Sequence, residues 1–229
     1  MTSQFAFEFA HRPAFGADDF LVAPSNEAAI AMLDRWPDWP ASAVLLHGPP
    51  GCGKTHLAHV WQARSGAVLR PAAALVPDAV PELAGHAAVV VDDAERAAER
   101  PLLHLLNLVV ERGGHLLLTA PAPPARWTTA LPDLRSRLVA LPEIAMLAPD
   151  DALIGAVLLK LFADRQLSVG EDVIVFLLHH MERSFAAARH LVAALDRAAL
   201  VAQRRITVPL ARQVLAAEGT PGGEGETGG

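Results

Sequence analysis

Residues 42–65 read SAVLLHGPPGCGKTHLAHVWQARS. Residues 43–46 are wholly apolar and predict a short buried strand. Gly48-Pro49-Pro50-Gly51-Cys52-Gly53-Lys54-Thr55 follows at once, and Leu57, Val60 and Trp61 then recur at helical spacing. Strand, glycine-rich loop and helix in that order is the context in which G-x-x-x-x-G-K-[ST] has a physical meaning. Glycines let successive backbone N–H groups turn inward around a phosphate without a Cβ clash. The new helix points its positive end at the same phosphate. Residues Gly48, Pro49, Pro50, Gly51, Cys52 and Gly53 form the cradle. Lys54 brings a point charge for the β- and γ-phosphates, and Thr55 offers a hydroxyl to Mg²⁺. A chance glycine turn would not need all four fixed positions. The stretch predicts a site for a nucleoside triphosphate or diphosphate.

Working outward, the chain has 229 residues, room for one large or two small domains. Net charge is −6 with no dense basic run, which weighs against an autonomous DNA-binding module. The single cysteine, Cys52, excludes an internal disulfide and fits a reducing compartment. It occupies a variable position of the loop and reads as filler, not nucleophile. The start of the chain lacks the basic-then-apolar pattern of a signal peptide. The apolar run 152–159 falls far short of the ~20 residues that span a bilayer. The expectation is a cytoplasmic protein with no membrane contact. Residues 219–229 contain only Gly, Glu, Thr and Pro, a composition that predicts disorder.

Residues 4–9, Gln4-Phe5-Ala6-Phe7-Glu8-Phe9, place three Phe on alternate positions near the terminus. That pattern suits a first strand, and equally an extended peptide that inserts anchors into a partner's groove. Ser25-Asn26-Glu27 predicts the cap and first turn of a helix that stops before Pro37. A second strand is expected over 67–69, with weak helical turns over 71–86. Ala87-Ala88-Val89-Val90-Val91-Asp92-Asp93 reads as a buried parallel strand delivering two carboxylates at its C-terminal edge. Asp92 would hold Mg²⁺, and Asp93 would orient or polarise the attacking water. A helix cap would need only one of these acids. An amphipathic helix over 101–112 is closed by Gly113-Gly114. The next strand, 115–119, ends on Thr119, which suits a water-holding residue beside the γ-phosphate or a turn cap. A short helix over 131–138 carries Arg135 and Arg137, and a last strand is expected over 138–141. From residue 149 the pattern is helical only, over 150–164, 171–181, 184–203 and 209–217. Strands separated by helices predict a doubly wound parallel sheet, followed by an all-helical second domain.

These motifs in this order resemble the AAA+ family, an α/β P-loop NTPase sheet sandwiched by helices with a helical lid domain. More narrowly they resemble the DnaA family and its short Hda-like regulators. The resemblance is carried by Asp19-Phe20-Leu21-Val22 with Asn26, by residues 48–55 and by Val91-Asp92-Asp93. Residues 116–119 with Pro124, Leu131-Pro132-Asp133-Leu134 with Ser136-Arg137-Leu138, and Arg205-Ile206-Thr207 complete it. It covers residues 4–217 and lacks the basic helix-turn-helix domain of an initiator. It implies a clamp-docking peptide over 1–14, a nucleotide-binding domain over 15–147, a lid over 148–218 and a tail over 219–229. Gln4, Phe5, Phe7 and Phe9 would dock on the replicase sliding clamp. The cofactors implied are ATP or ADP with Mg²⁺, with Asn26 near the adenine pocket. Arg137 matches the family's arginine finger, acting in trans on DnaA-ATP. Arg189 matches a lid arginine that reaches the phosphates, although an alignment through Arg183-Ser184 would put Ala186 there. Ala120 and Pro121 depart from the family's small polar residue and Asp, so the chain's own hydrolysis is expected to be weak. DNA contact is expected to be indirect, and a homo-oligomer is compatible with the pattern. Three other readings remain open: a helicase-loader-type ATPase acting with single-stranded DNA, a small-molecule phosphotransferase, and an assembly module that binds nucleotide for stability.

Overall fold

A computed structural model describes residues 21–218. The expected docking peptide, including Gln4, Phe5, Phe7 and Phe9, and the expected tail lie outside the described residues. The chain divides into two compact units, which meet in sequence between Ala148 and Pro149.

The first unit is built on a parallel sheet. Its strands are β1 (Ala43–His47), β2 (Val68–Pro71), β3 (Ala88–Asp92), β4 (His115–Ala120) and β5 (Glu143–Ala145), in spatial order β2-β3-β4-β1-β5. The interior strands β1, β3 and β4 read as continuous apolar runs because helices cover both faces. Side chains alternate between two cores, as a period of two requires. Leu45, Val89, Val91, Leu116 and Leu118 face one layer. It contains residues of α3 (Val80–Leu83), α4 (Glu99–Arg112) and α5 (Pro132–Val139). Val44, Leu46, Val90 and Leu117 face the other. There they meet α1 (Glu27–Asp34) and α2 (Lys54–Ser65), with Leu57 and Trp61 of α2 fully buried. Trp61 stacks on Trp39 at 4.9 Å between ring centroids, closing that layer.

Because every pairing is parallel, all five C-terminal strand ends lie along one edge. The register sets Val91 beside Leu118 and Leu46 beside Thr119. Asp92, Thr119 and the loop after His47 therefore converge there.

Two elements depart from the sequence reading. The last strand is not 138–141: α5 continues to Val139 and β5 begins at Glu143. Leu134 and Leu138, one helical turn apart, are both buried, so packing selects the helix, and Pro142 separates it from the strand. Asn26 stands at the cap position of α1 but makes no side-chain cap. Its Oδ1 accepts from Ala23 N–H at 2.9 Å and its Nδ2 donates to the Leu21 carbonyl at 2.9 Å.

The second unit contains α6 (Asp151–Asp164), α7 (Glu171–His180), α8 (Phe185–Ala202) and α9 (Val208–Glu218). Their apolar stripes meet in one core that includes Ile154, Leu158, Phe162, Ile174, Leu177, Leu191 and Leu195. Asp150 caps α6 by accepting from Leu153 N–H at 2.8 Å, and Ser184 caps α8 by accepting from Ala187 N–H at 3.1 Å.

Candidate functional site

The loop between β1 and α2 is bent by two left-handed glycines, Gly51 (φ 75°) and Gly53 (φ 100°). A side chain at either would be strained. Gly48 is required for a different reason. A Cβ there would run into the Met146 carbonyl oxygen and press on Cys52 Sγ. Lys54, the first residue of α2, is buried at 8% exposure. Its ammonium donates to the Gly48 carbonyl at 2.8 Å and the Pro49 carbonyl at 3.0 Å, with Cys52 Sγ 3.9 Å away. The charge is thus held by the loop's own carbonyls, inside the ring where a phosphate chain would approach. Burial pushes the Cys52 thiol up, outweighing the Lys54 charge, so it stays neutral and serves as packing.

Across the edge, Thr55 donates to the Asp92 carboxylate, 3.0 Å from Oδ2 and 3.2 Å from Oδ1. A hydroxyl and a carboxylate are hard oxygen donors and suit Mg²⁺, which is commonly held by one or two carboxylates plus phosphates. Among the described residues no group of three or more His, Cys, Asp or Glu gathers into a metal site of another kind.

Thr119 is fully buried, and its hydroxyl works inside the protein. It donates to Asp92 Oδ1 and accepts from the Asp93 N–H at 3.0 Å. Instead of offering its proton to a water, it ties the two acids together. Asp93 itself is left-handed (φ 55°, ψ 46°), which turns the chain out of β3. Its carboxylate is half exposed, 4.0 Å from Arg96 Nη1.

Three further groups on this edge carried no sequence motif. His47 Nε2 lies 3.4 Å from Glu143 Oε2 of the edge strand. Burial lowers the His47 pKa, helped by the positive Arg126 and Lys54 and opposed by Glu143. Glu95, two residues past the acid pair, has a buried Oε2 with no partner. Burial raises its pKa, with the Asp93 charge adding and Arg96 and Lys54 opposing. The spacing Asp92-Asp93-x-Glu95 was the available signal for it.

Arg137 stands on α5, exposed, with no ion pair or side-chain hydrogen bond among the described residues. Arg135 is exposed on the same helix. Buried Leu134 and Leu138 anchor that helix in the core. Arg189 belongs to the helical unit, exposed on α8.

The parallel sheet in this order, its glycine loop and the acids at the strand ends define a P-loop ATPase fold of the AAA+ class. Residues 154–215 match the family model described as "Hda, lid domain". Domain III of the Thermotoga maritima replication initiation protein DnaA is similar over 88% of this chain and 95% of its own, with TM-score 0.76 and 17% identity. AMPPCP-bound DnaA from Aquifex aeolicus is similar over 82% of this chain and 67% of its own (TM-score 0.69, 13% identity). The RuvB Holliday junction branch migration motor of Thermotoga maritima is similar over 84% and 66% (TM-score 0.67, 17% identity). Residues 154–215 thus resemble the lid domain of Hda, and the chain shares its fold with domain III of DnaA. Among the described residues no helix is long and apolar enough to cross a membrane.

Proposed function

We propose that this chain is an Hda-like negative regulator of replication initiation. It binds adenine nucleotide and stimulates hydrolysis of ATP held by DnaA. The observation that carries the reading is Arg137, an exposed guanidinium with no ion pair or side-chain hydrogen bond among the described residues, on a helix anchored by the buried Leu134 and Leu138. An arginine placed in trans against a transferring phosphoryl group is worth about 10³–10⁵ in rate. The chain's own edge supports binding more than turnover. Thr119 is committed to Asp92 and Asp93, and the Asp93 carboxylate is turned toward Arg96.

In this reading residues 48–55 cradle the phosphates, with Lys54 transferring its charge from the loop carbonyls to the nucleotide. Thr55 and Asp92 would hold Mg²⁺, which supplies charge neutralisation at the phosphates when bound. Asn26 shapes the segment beside the adenine by clamping Leu21 and Ala23, and Arg189 is the lid's contribution to the phosphates. Residues 1–14 dock on the DNA-loaded sliding clamp through Gln4, Phe5, Phe7 and Phe9, three apolar anchors and a polar rim contact. Residues 15–147 and 148–218 are the nucleotide-binding and lid domains, and residues 219–229 are a tail. ADP is the working ligand, DNA is reached through the clamp, and the setting is the cytoplasm.

The test is hydrolysis of ATP pre-bound to DnaA, with and without DNA-loaded clamp, for wild type, Arg137→Ala and Phe7→Ala. Stimulation that needs the clamp and is lost in both variants is the expected result. Unchanged DnaA-bound ATP, with free ATP consumed in the presence of single-stranded DNA, would replace the reading by a loader-type ATPase.

A further inference from the structure

The helix that carries Arg137 has a start that its own sequence does not cap. α5 is eight residues long, its N-cap is Leu131, and no side chain of its own closes the first turn. A helix this short is marginal without outside support. The support comes from Glu99, 32 residues earlier in the chain. Glu99 Oε1 accepts from the Ala130 N–H at 2.7 Å and Oε2 accepts from the Leu131 N–H at 2.8 Å. One carboxylate takes both backbone donors in a fork, each bond charge-assisted and about twice as strong as a neutral one. Glu99 is itself the first residue of α4, where the helix end favours its negative charge.

Two fixed points therefore define where α5 lies. Glu99 holds the entry at residues 130 and 131, and Leu138 is buried at the far end beside Arg137. Glu99 also belongs to the segment that leaves the acid edge. Asp92 is tied to Thr55 and Thr119, Asp93 turns the chain, Ala94 is buried, and α4 starts at Glu99. The acid edge beside the chain's own phosphate loop and Glu99, whose carboxylate holds the entry to α5, are thus the two ends of one short stretch of backbone, residues 92–99.

We infer that Glu99 is a positioning residue for Arg137: its carboxylate, bonded to the Ala130 and Leu131 N–H groups, sets the placement of α5 and hence of the guanidinium presented to a neighbour's nucleotide. The inference rests on the trans-acting role proposed for Arg137. Misplacement of a catalytic group by about 1 Å can cost about 10²-fold in rate. Glu99→Ala should accordingly lower the maximal stimulation of DnaA-bound ATP hydrolysis about 10- to 100-fold. The concentration giving half-maximal stimulation should change little. Glu99→Gln keeps one acceptor oxygen and should fall between Glu99→Ala and wild type.

The experiment uses the full chain with DnaA and DNA-loaded clamp. It compares Glu99→Ala, Glu99→Gln, Arg137→Ala and the double variant, with hydrogen exchange of each free protein and its affinity for ADP. Exchange should rise over residues 130–139 in Glu99→Ala while the β1, β3 and β4 amides and the ADP affinity stay at wild-type values. The double variant should be no slower than Arg137→Ala, because both act through one guanidinium. Unchanged exchange over 130–139, or unchanged stimulation by Glu99→Ala while Arg137→Ala abolishes it, overturns the positioning role alone. Additive losses in the double variant, or weakened ADP binding in step with stimulation, overturn it as well. Full stimulation by Arg137→Ala overturns the finger reading, and the Glu99 role falls with it.

Discussion

Replacing Thr119 by Val keeps the shape of the side chain and deletes one hydroxyl. The site is fully buried, so no new cavity forms and no water reaches it freely. Two interactions vanish together: the bond to Asp92 Oδ1 and the bond from the Asp93 N–H at 3.0 Å. The Asp93 N–H is left as an orphaned donor, at a cost of about 1–3 kcal/mol. The Asp92 carboxylate loses a charge-assisted bond worth about 1.5–3 kcal/mol, part of which its remaining contact with Thr55 recovers. The expected destabilisation of the first unit is about 2–4 kcal/mol. Urea unfolding followed by tryptophan fluorescence reads that unit alone. All four tryptophans, Trp36, Trp39, Trp61 and Trp127, lie within residues 21–148. The midpoint should fall with the slope unchanged. Thr119→Ser, which restores the hydroxyl, should recover most of the loss. A Thr119→Val midpoint shift worth less than about 0.5 kcal/mol would refute the tie between the acids, since surface substitutions reach that size without any such role.

Gly48→Ala should destabilise the same unit by about 1–3 kcal/mol, because the added methyl meets the Met146 carbonyl, which is backbone and cannot swing aside; the same fluorescence midpoint checks it. Lys54→Ala should abolish the nucleotide-dependent rise in melting temperature, which in wild type corresponds to about 2.7 kcal/mol at a ligand concentration 100 times Kd. Glu95→Gln should stabilise the protein at neutral pH and leave it unchanged in acid. Burial raises the Glu95 pKa above its ordinary 4.5, so the folded state binds more protons than the unfolded state between the two values. Stability from this group is lost as pH rises through that window, and Gln removes the loss. Unfolding midpoints of both proteins on either side of the window decide it, and an equal offset at all pH values would refute the assignment.

The sequence by itself determined what is local. The glycine loop is legible because its turn and its charge answer needs met within eight residues: a left-handed turn at Gly51 and Gly53, and a charge at Lys54 held by the loop's own carbonyls. The runs 43–46 and 87–93 announce buried parallel strands because only a strand covered on both faces is apolar throughout. Helices α6 to α9 follow from a 3.6-residue stripe in the same way. Tertiary structure decided every role that depends on a partner far along the chain. Thr119 ends an apolar strand and reads equally as a water ligand or a cap. The register of β3 against β4 gives its proton to Asp92. Asn26 reads as a helix cap, and the path of residues 21–23 makes it a clamp. Leu138 fits a strand or a helix, and burial together with Leu134 selects the helix. Glu99 lies outside the helix expected over 101–112, and folding both starts α4 at it and places the Ala130 and Leu131 N–H groups against its carboxylate. A hydrogen bond is set by angle and distance between groups, and for groups 26 to 32 residues apart only the packed sheet and its helices specify those.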